Sequence, residues 1–252
     1  TTYTCPSTLK KIGDYAFYGH GDSGITGIVF NDGLEEIGSY AFYECYAVSN
    51  LSFPDTLKKI GDYAFERFTS TQITVNINWG DGLEEIGASA FVGVYRKDTV
   101  TFPDSLKKIG DYAFTSTEDT PCAITKVNLP ASLEYFGNAA FFYGYGIKNI
   151  TLPASNPNFK IVNNRLLSKD GTKLYWVPSD TANLIQADNI LTIPDGVTEL
   201  RPHCLSEARF ITSVELPKSL KIIGEDAFHY NYAIQDLDLP NSVVTIGAEA
   251  FR

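Results

Sequence analysis

The sequence predicts an α/β repeat solenoid, on three observations. The segment LKKIGDYAF occurs unchanged at 9–17, 57–65 and 106–114. Near copies stand at 34–42, 83–91, 133–141 and 220–228, with drifted ones at 197–205 and 243–251. These nine copies start 23 to 27 residues apart, except for one interval of 64. Before most copies comes a short alternating apolar segment, usually closed by proline: IVFND, LSFPD, VTFPD, VNLPA, VELPK and LDLPN. A unit this short cannot bury its own apolar face, so stacked units share one continuous core. Residues 1–252 therefore read as a single solenoid, interrupted by an insertion at 154–196.

The first element of each unit is a strand. Its inward positions are Ile25, Ile28 and Phe30, then Val48, Leu51 and Phe53, and later Ile211, Val214 and Leu216. Proline ends the strand because it has no N–H to give. The second element opens on an inward Leu and carries a charged pair that alternates in sign: Lys10-Lys11, Glu35-Glu36, Lys58-Lys59, Glu84-Glu85 and Lys107-Lys108. Parallel stacking sets these pairs ~4.8 Å apart, so unlike charges meet and fix the register. A glycine follows, read as a bend. The next residue is Asp14, Ser39, Asp62, Asp111 or Asn138 in five copies. These are N-cap types, which predicts one helical turn over Ala-Phe. The recurring Phe residues read as core. In the insertion, Asp170-Gly171 between apolar segments predicts a β-hairpin. An extra coil over Ile147, Ile150, Leu152 and Pro153 precedes it.

The recurring unit L-x-x-I-x-L-P-x-S-L-x-x-I-G-x-x-A-F resembles the BspA-like type of leucine-rich repeat, along nearly the whole chain. That resemblance implies a right-handed superhelix with a parallel sheet on its concave face and short extended and one-turn helical segments elsewhere. The stretch NPNFKIVNNRLLSKDGTKLYWVP is similar to a hairpin-bearing insertion common in the family. The resemblance further implies an extracellular or bacterial cell-surface location and adhesive or host-contact roles. Some relatives are implicated in binding extracellular-matrix proteins.

Composition narrows the function. Lys plus Arg is 20 and Asp plus Glu is 30, a net charge of −10. Such a chain repels phosphate backbones and anionic lipid, which disfavours nucleic-acid binding and electrostatic membrane anchoring. No apolar run approaches the ~18 residues of a membrane span, so no membrane insertion is expected. With no Met and no polar cap at either end, the chain is expected to be processed or cut from something longer. Cys5, Cys45, Cys122 and Cys204 lack metal or redox spacing and are expected as four free thiols. Cys5 and Cys204 take core positions, whereas Cys45 and Cys122 fall in loops. His20, His203 and His229 lie in different coils without ligand spacing, and His203 and His229 read as exposed loop residues. There is no nucleophile elbow, phosphate loop or singled-out carboxylate pair. No enzyme activity and no cofactor are expected.

The candidate surface follows from the two-residue period of a strand. Its outward rows include Asn50, Asn76, Thr99 and Lys126, and Ser52, Asn78, Thr101 and Asn128. They form either a contact face for protein or glycan, or merely a solvated sheet. Glu215, Asp236 and Asp238 could hold a hard cation, although an exposed acidic patch is the simpler reading. Tyr175 and Trp176 of the hairpin are either a contact pair or pins that fasten the insertion. The resulting expectation is a non-catalytic extracellular module that contacts a protein or glycan ligand on the host or matrix side. The alternative is a passive spacer within a larger surface protein.

Overall fold

The computed structural model describes residues 2–20, 26–45, 50–68, 75–94, 97–117, 123–178, 190–208, 211–235 and 237–252. The strands up to the insertion are β1 (Thr2–Thr4), β2 (Lys11–Ile12), β3 (Gly27–Val29), β4 (Glu36–Ile37), β5 (Asn50–Ser52), β6 (Lys59–Ile60), β7 (Asn76–Asn78), β8 (Glu85–Ile86), β9 (Lys97–Thr101), β10 (Lys108–Ile109), β11 (Ala123–Asn128), β12 (Tyr135–Phe136) and β13 (Asn149–Thr151). The insertion contributes β14 (Phe159–Val162), β15 (Arg165–Ser168) and β16 (Lys173–Trp176). Beyond it lie β17 (Ile190–Thr192), β18 (Glu199–Leu200), β19 (Ser213–Glu215), β20 (Ile222–Ile223) and β21 (Thr245–Ile246).

Two faces are built from parallel strands. On one, β2, β4, β6, β8, β10 and β12 pair in that order, one strand per coil. The predicted charge column is seen in register: Lys11 stands opposite Glu36, Glu36 opposite Lys59, Lys59 opposite Glu85 and Glu85 opposite Lys108. Lys10 and Lys11 reach Glu35 and Glu36 at 2.9 Å each, and Lys107 reaches Glu84 at 2.7 Å. Exposed pairs of this kind contribute only about 0.2–1 kcal/mol each, so they choose the register more than they hold the fold. On the other face, β1 pairs β3, β5 pairs β7, β9–β11–β13 form a triplet, and β17 pairs β19.

The core between the faces is a set of columns. Leu34, Leu57, Leu83 and Leu106 are fully buried, as are Ile37, Ile60, Ile86 and Ile109. Phe17, Phe42, Phe65, Phe91, Phe114 and Phe141 stack ring on ring at 5.0–5.4 Å. The hydroxyl just before the inward Leu also belongs to the repeat. Thr56, Ser105, Ser132 and Ser219 each donate to the carbonyl of the inward Leu or Val one coil earlier, at 2.6–2.8 Å.

The predicted helical turn is absent: no α-helix occurs among the described residues, and the stack is a β-solenoid rather than an α/β one. A helix satisfies its N–H groups within the segment. Here alternate N–H groups point across to the next coil. Tyr15, Phe17 and Gly19 donate to the carbonyls of Ser39, Ala41 and Tyr43, and Tyr40, Phe42 and Glu44 to those of Asp62, Ala64 and Glu66. The chain turns between these bonds by taking positive φ at four-residue spacing, as at Tyr40 (56°) and Glu44 (58°). The residues read as N-caps therefore cap a neighbour: Asp14, Asp62 and Asp111 accept from the N–H of Ser39, Ala88 and Asn138 at 2.8–2.9 Å.

The glycine before them is a point of close approach rather than of bending. A Cβ on Gly110 would lie 2.5 Å from the Gly87 carbonyl carbon and from the Ala88 nitrogen. Ile25, Val48, Cys122 and Asp236 lie outside the described residues.

The insertion is a three-stranded meander. β14 and β15 pair antiparallel through Asn163-Asn164, both at positive φ (45° and 58°), and β15 pairs antiparallel with β16. The second turn is the predicted one. Asp170 Oδ1 accepts from Ser168 Oγ, the Thr172 N–H and Thr172 Oγ1, which hold its carboxyl at about 2. Strand β16 then acts as an ordinary coil strand and leads the parallel series β16–β18–β20–β21.

Candidate functional site

The outward rows of the strand face fall into register as predicted. Asn50 faces Asn76, Ser52 faces Asn78, Thr99 and Asn149 flank Lys126, and Thr101 and Thr151 flank Asn128. Asn50, Ser52, Asn76, Asn78, Thr99 and Thr101 are exposed, while Lys126 and Asn128 are half-buried. Their side chains join from coil to coil. Asn76 Nδ2 donates to Asn50 Oδ1 at 3.3 Å, Asn78 Nδ2 to Ser52 Oγ at 3.4 Å and Asn128 Nδ2 to Thr101 Oγ1 at 2.8 Å. Thr151 Oγ1 donates to Asn128 Oδ1 at 2.6 Å. The face thus carries two runs of joined amides and hydroxyls, one on β5–β7 and one on β9–β13. Beside it a concavity of about 370 Å³ is lined by Val29, Ser52, Asp32 and Asp55 among others.

The other sequence candidates fare differently. Trp176 is 7% exposed and continues the Phe column, stacked on Phe141 at 5.0 Å and on Phe136 at 5.6 Å. It has no surface to offer a partner. Tyr175 is partly buried, edge-on to Phe159 at 5.1 Å, with the Arg201 guanidinium 5.5 Å over its ring. Both pin the meander to the stack. Glu215 Oε2 accepts from Thr192 Oγ1 at 2.7 Å, Asp238 is exposed, and Asp236 is among the residues not described. Cys5, Cys45 and Cys204 are free and buried; Cys45 lies between elements as expected, but its side chain joins the core. Its thiol donates to the Phe17 carbonyl, and burial pushes its pKa up to about 11.

A second cluster was not anticipated from the sequence. At the joint around the insertion, side chains 62–91 residues apart meet. Tyr112 Oη lies 2.7 Å from His203 Nε2, and Arg201 Nη2 donates to Asn138 Oδ1 at 3.4 Å. Glu207, only 1% exposed, takes the part that a neighbouring carbonyl plays in earlier coils. It accepts from the Tyr143 N–H at 2.8 Å and from Tyr145 Oη at 3.0 Å. His203 and His229, expected on exposed loops, have side chains only 8% and 12% exposed and converge on Asp226. Burial lowers the His203 pKa, against the opposing pull of Asp226. The sequence does hold a signal for this cluster. Aligned on the repeat, Tyr112, Ala139, His203 and Asp226 share one column, and small Ala139 leaves Tyr112 room to span to His203.

The BspA type leucine rich repeat region matches in six copies, over residues 1–119, 66–169 and 182–252. No curated protein matches the chain. Among solved structures, a leucine-rich repeat protein of Eubacterium ventriosum superposes with a TM-score of 0.82 at 21% identity, over 98% of this chain and 63% of that one. The pneumococcal vaccine antigen PcpA gives 0.64 at 23%, over 98% and 58%. A leucine rich cell surface protein of Faecalibacterium prausnitzii gives 0.69 at 25%, over 96% and 70%. The chain thus spans less than two thirds of the first two. With the repeat matched along most of its length and the solenoid shared, this chain belongs to the BspA type leucine-rich repeat family.

Proposed function

We propose that this chain is a non-catalytic binding module of a bacterial surface or secreted protein, and that it contacts a protein or glycan through its strand face. The observation that carries this reading is a pair of amide and hydroxyl ladders, Asn50–Asn78 and Thr101–Thr151. Apart from half-buried Asn128, their donors and acceptors lie on exposed residues, and cross-coil hydrogen bonds hold them in place. A face ordered before contact loses little entropy on binding. The adjoining concavity adds Asp32 and Asp55, acceptors suited to sugar hydroxyls or peptide N–H groups. The surface setting is supported by the Faecalibacterium relative, itself named a cell surface protein.

A triple variant, Asn76→Glu, Asn78→Glu and Thr101→Glu, tests the reading in a screen of matrix proteins and glycans. Binding by the wild type that the folded variant loses is the expected result. Equal binding by both would move the site off this face. The second reading, a passive spacer, is favoured by the same ladders, because their polar groups already satisfy one another. No ligand for either protein would support it.

A further inference from the structure

We propose that His203, Asp226 and His229 form a binding site for one zinc-class divalent transition metal, which clamps successive coils at the joint beside the insertion. Two imidazoles and a carboxylate are a donor set for zinc and its neighbours rather than for calcium or magnesium. One ligand atom from each residue lies within 4.8 Å of the other two. His229 Nδ1 is 3.4 Å from Asp226 Oδ1, and His203 Nε2 is 3.6 Å from Asp226 Oδ2. Charge-assisted hydrogen bonds are shorter, about 2.7–2.9 Å. Ligands bound at about 2.0–2.1 Å in a tetrahedral site stand about 3.3–3.4 Å apart, close to these two His–carboxylate separations, each to a different oxygen of Asp226.

Hydrogen bonding points the same way. Asp226 Oδ1 and both ring nitrogens of His229 are shielded from solvent and have no hydrogen-bond partner among the described residues. Buried polar atoms are rarely left so. His203 is already set to ligate. Ser206 Oγ spends its proton on the Asp226 carbonyl at 2.8 Å, so at 3.4 Å from His203 Nδ1 it can only accept. The neutral ring then carries its proton on Nδ1 and its lone pair on Nε2, towards Asp226. Such an outer partner orients the ring as in known zinc sites. Tyr112 Oη, now bonded to that nitrogen, gives it up when the ion binds. His203 belongs to one coil and Asp226 and His229 to the next, so the ion ties the two together.

The test uses the whole chain without a polyhistidine tag, freed of metal by a chelator. Calorimetric titration with Zn²⁺ is expected to give one ion per chain and a raised Tm, with no competition from Ca²⁺ or Mg²⁺. His229→Gln and Asp226→Asn are expected to weaken binding about a hundredfold or more, since losing even an outer partner costs 10–100-fold. Circular dichroism of the metal-free variants shows whether they fold. Independently of them, crystals of the wild type grown with zinc are expected to show an anomalous peak among the three side chains. No binding, binding undiminished in the folded variants, or a peak elsewhere overturns the proposal.

Discussion

At Gly38, Gly61, Gly87, Gly110, Gly137, Gly224 and Gly247 the neighbouring backbone leaves no room for a Cβ. At Gly110 the added carbon would meet backbone at 2.5 Å, whereas at Gly13, in the first coil, nothing lies within 4 Å. Gly110→Ala is therefore expected to cost about 1–3 kcal/mol or more, as overpacking does. Gly13→Ala should fall within about 0.5 kcal/mol of wild type. Denaturant midpoints of the two variants check this. Equal costs would mean that proximity does not select glycine. The thiols carry a second prediction. Burial pushes up the pKa values of Cys5, Cys45 and Cys204 and starves each of thiolate. At pH 8 each is expected to alkylate at least about tenfold more slowly in the folded chain than in guanidinium, read residue by residue by mass spectrometry. Core burial of Cys5 and Cys204 was legible, because both replace residues of known inward phase. The pairing of His203 with His229 was not. Metal spacing is sought along the chain, but a solenoid brings together residues one repeat apart.

Among the elements, the charged column was readable because alternation of sign between copies has no meaning outside a parallel stack. Glu84 stands between Lys58 and Lys107, at 3.6 and 2.7 Å. Glu84→Lys sets three like charges in one column. A loss of about 1 kcal/mol is expected, shrinking in high salt as screening grows. The Ala-Phe turn was misread because its apolar spacing fits a helical turn as well as it fits this one. What decides between them is where the N–H groups go, and the next coil supplies the acceptors. Asp170-Gly171 marked one turn of the meander, while Asn163-Asn164 formed the other without the Asn-Gly or Asp-Gly signal. The Asp170 carboxyl is held at about 2, below its ordinary value of 3.8. Its contribution is thus complete above that value and disappears as pH falls towards 2. The Tm difference between wild type and Asp170→Asn should accordingly close between about pH 4 and pH 2. A difference constant across that window would mean that the carboxylate does not hold the turn.

Over the whole molecule, the solenoid itself was legible from nine copies, but the division of its core was not. One apolar cluster runs from Cys5 to Trp176, and a second from Leu167 to Ala250. They meet at the meander, where the sheets that end on β12 and β13 give way to separate sheets that hold β16 and β17. Side-chain contacts bridge the joint at Tyr112–His203, Asn138–Arg201 and Tyr143–Glu207. Each such bond contributes about 1 kcal/mol net, little beside the burial within either cluster. Repeat arrays lose all-or-none behaviour where the interface between neighbours is weak. Both tryptophans, Trp79 and Trp176, sit in the first cluster, so their fluorescence reports that block, whereas far-UV circular dichroism reports both. In metal-free guanidinium titrations the two signals are expected to give different midpoints. Leu200→Ala, in the second cluster, should cost about 2–5 kcal/mol and move the dichroism curve while sparing the fluorescence midpoint. Leu57→Ala, in the first, should move the fluorescence midpoint. Coincident curves that shift together in both variants would mean that the joint is as strong as any other contact in the stack. The meander would then be a seam only in sequence.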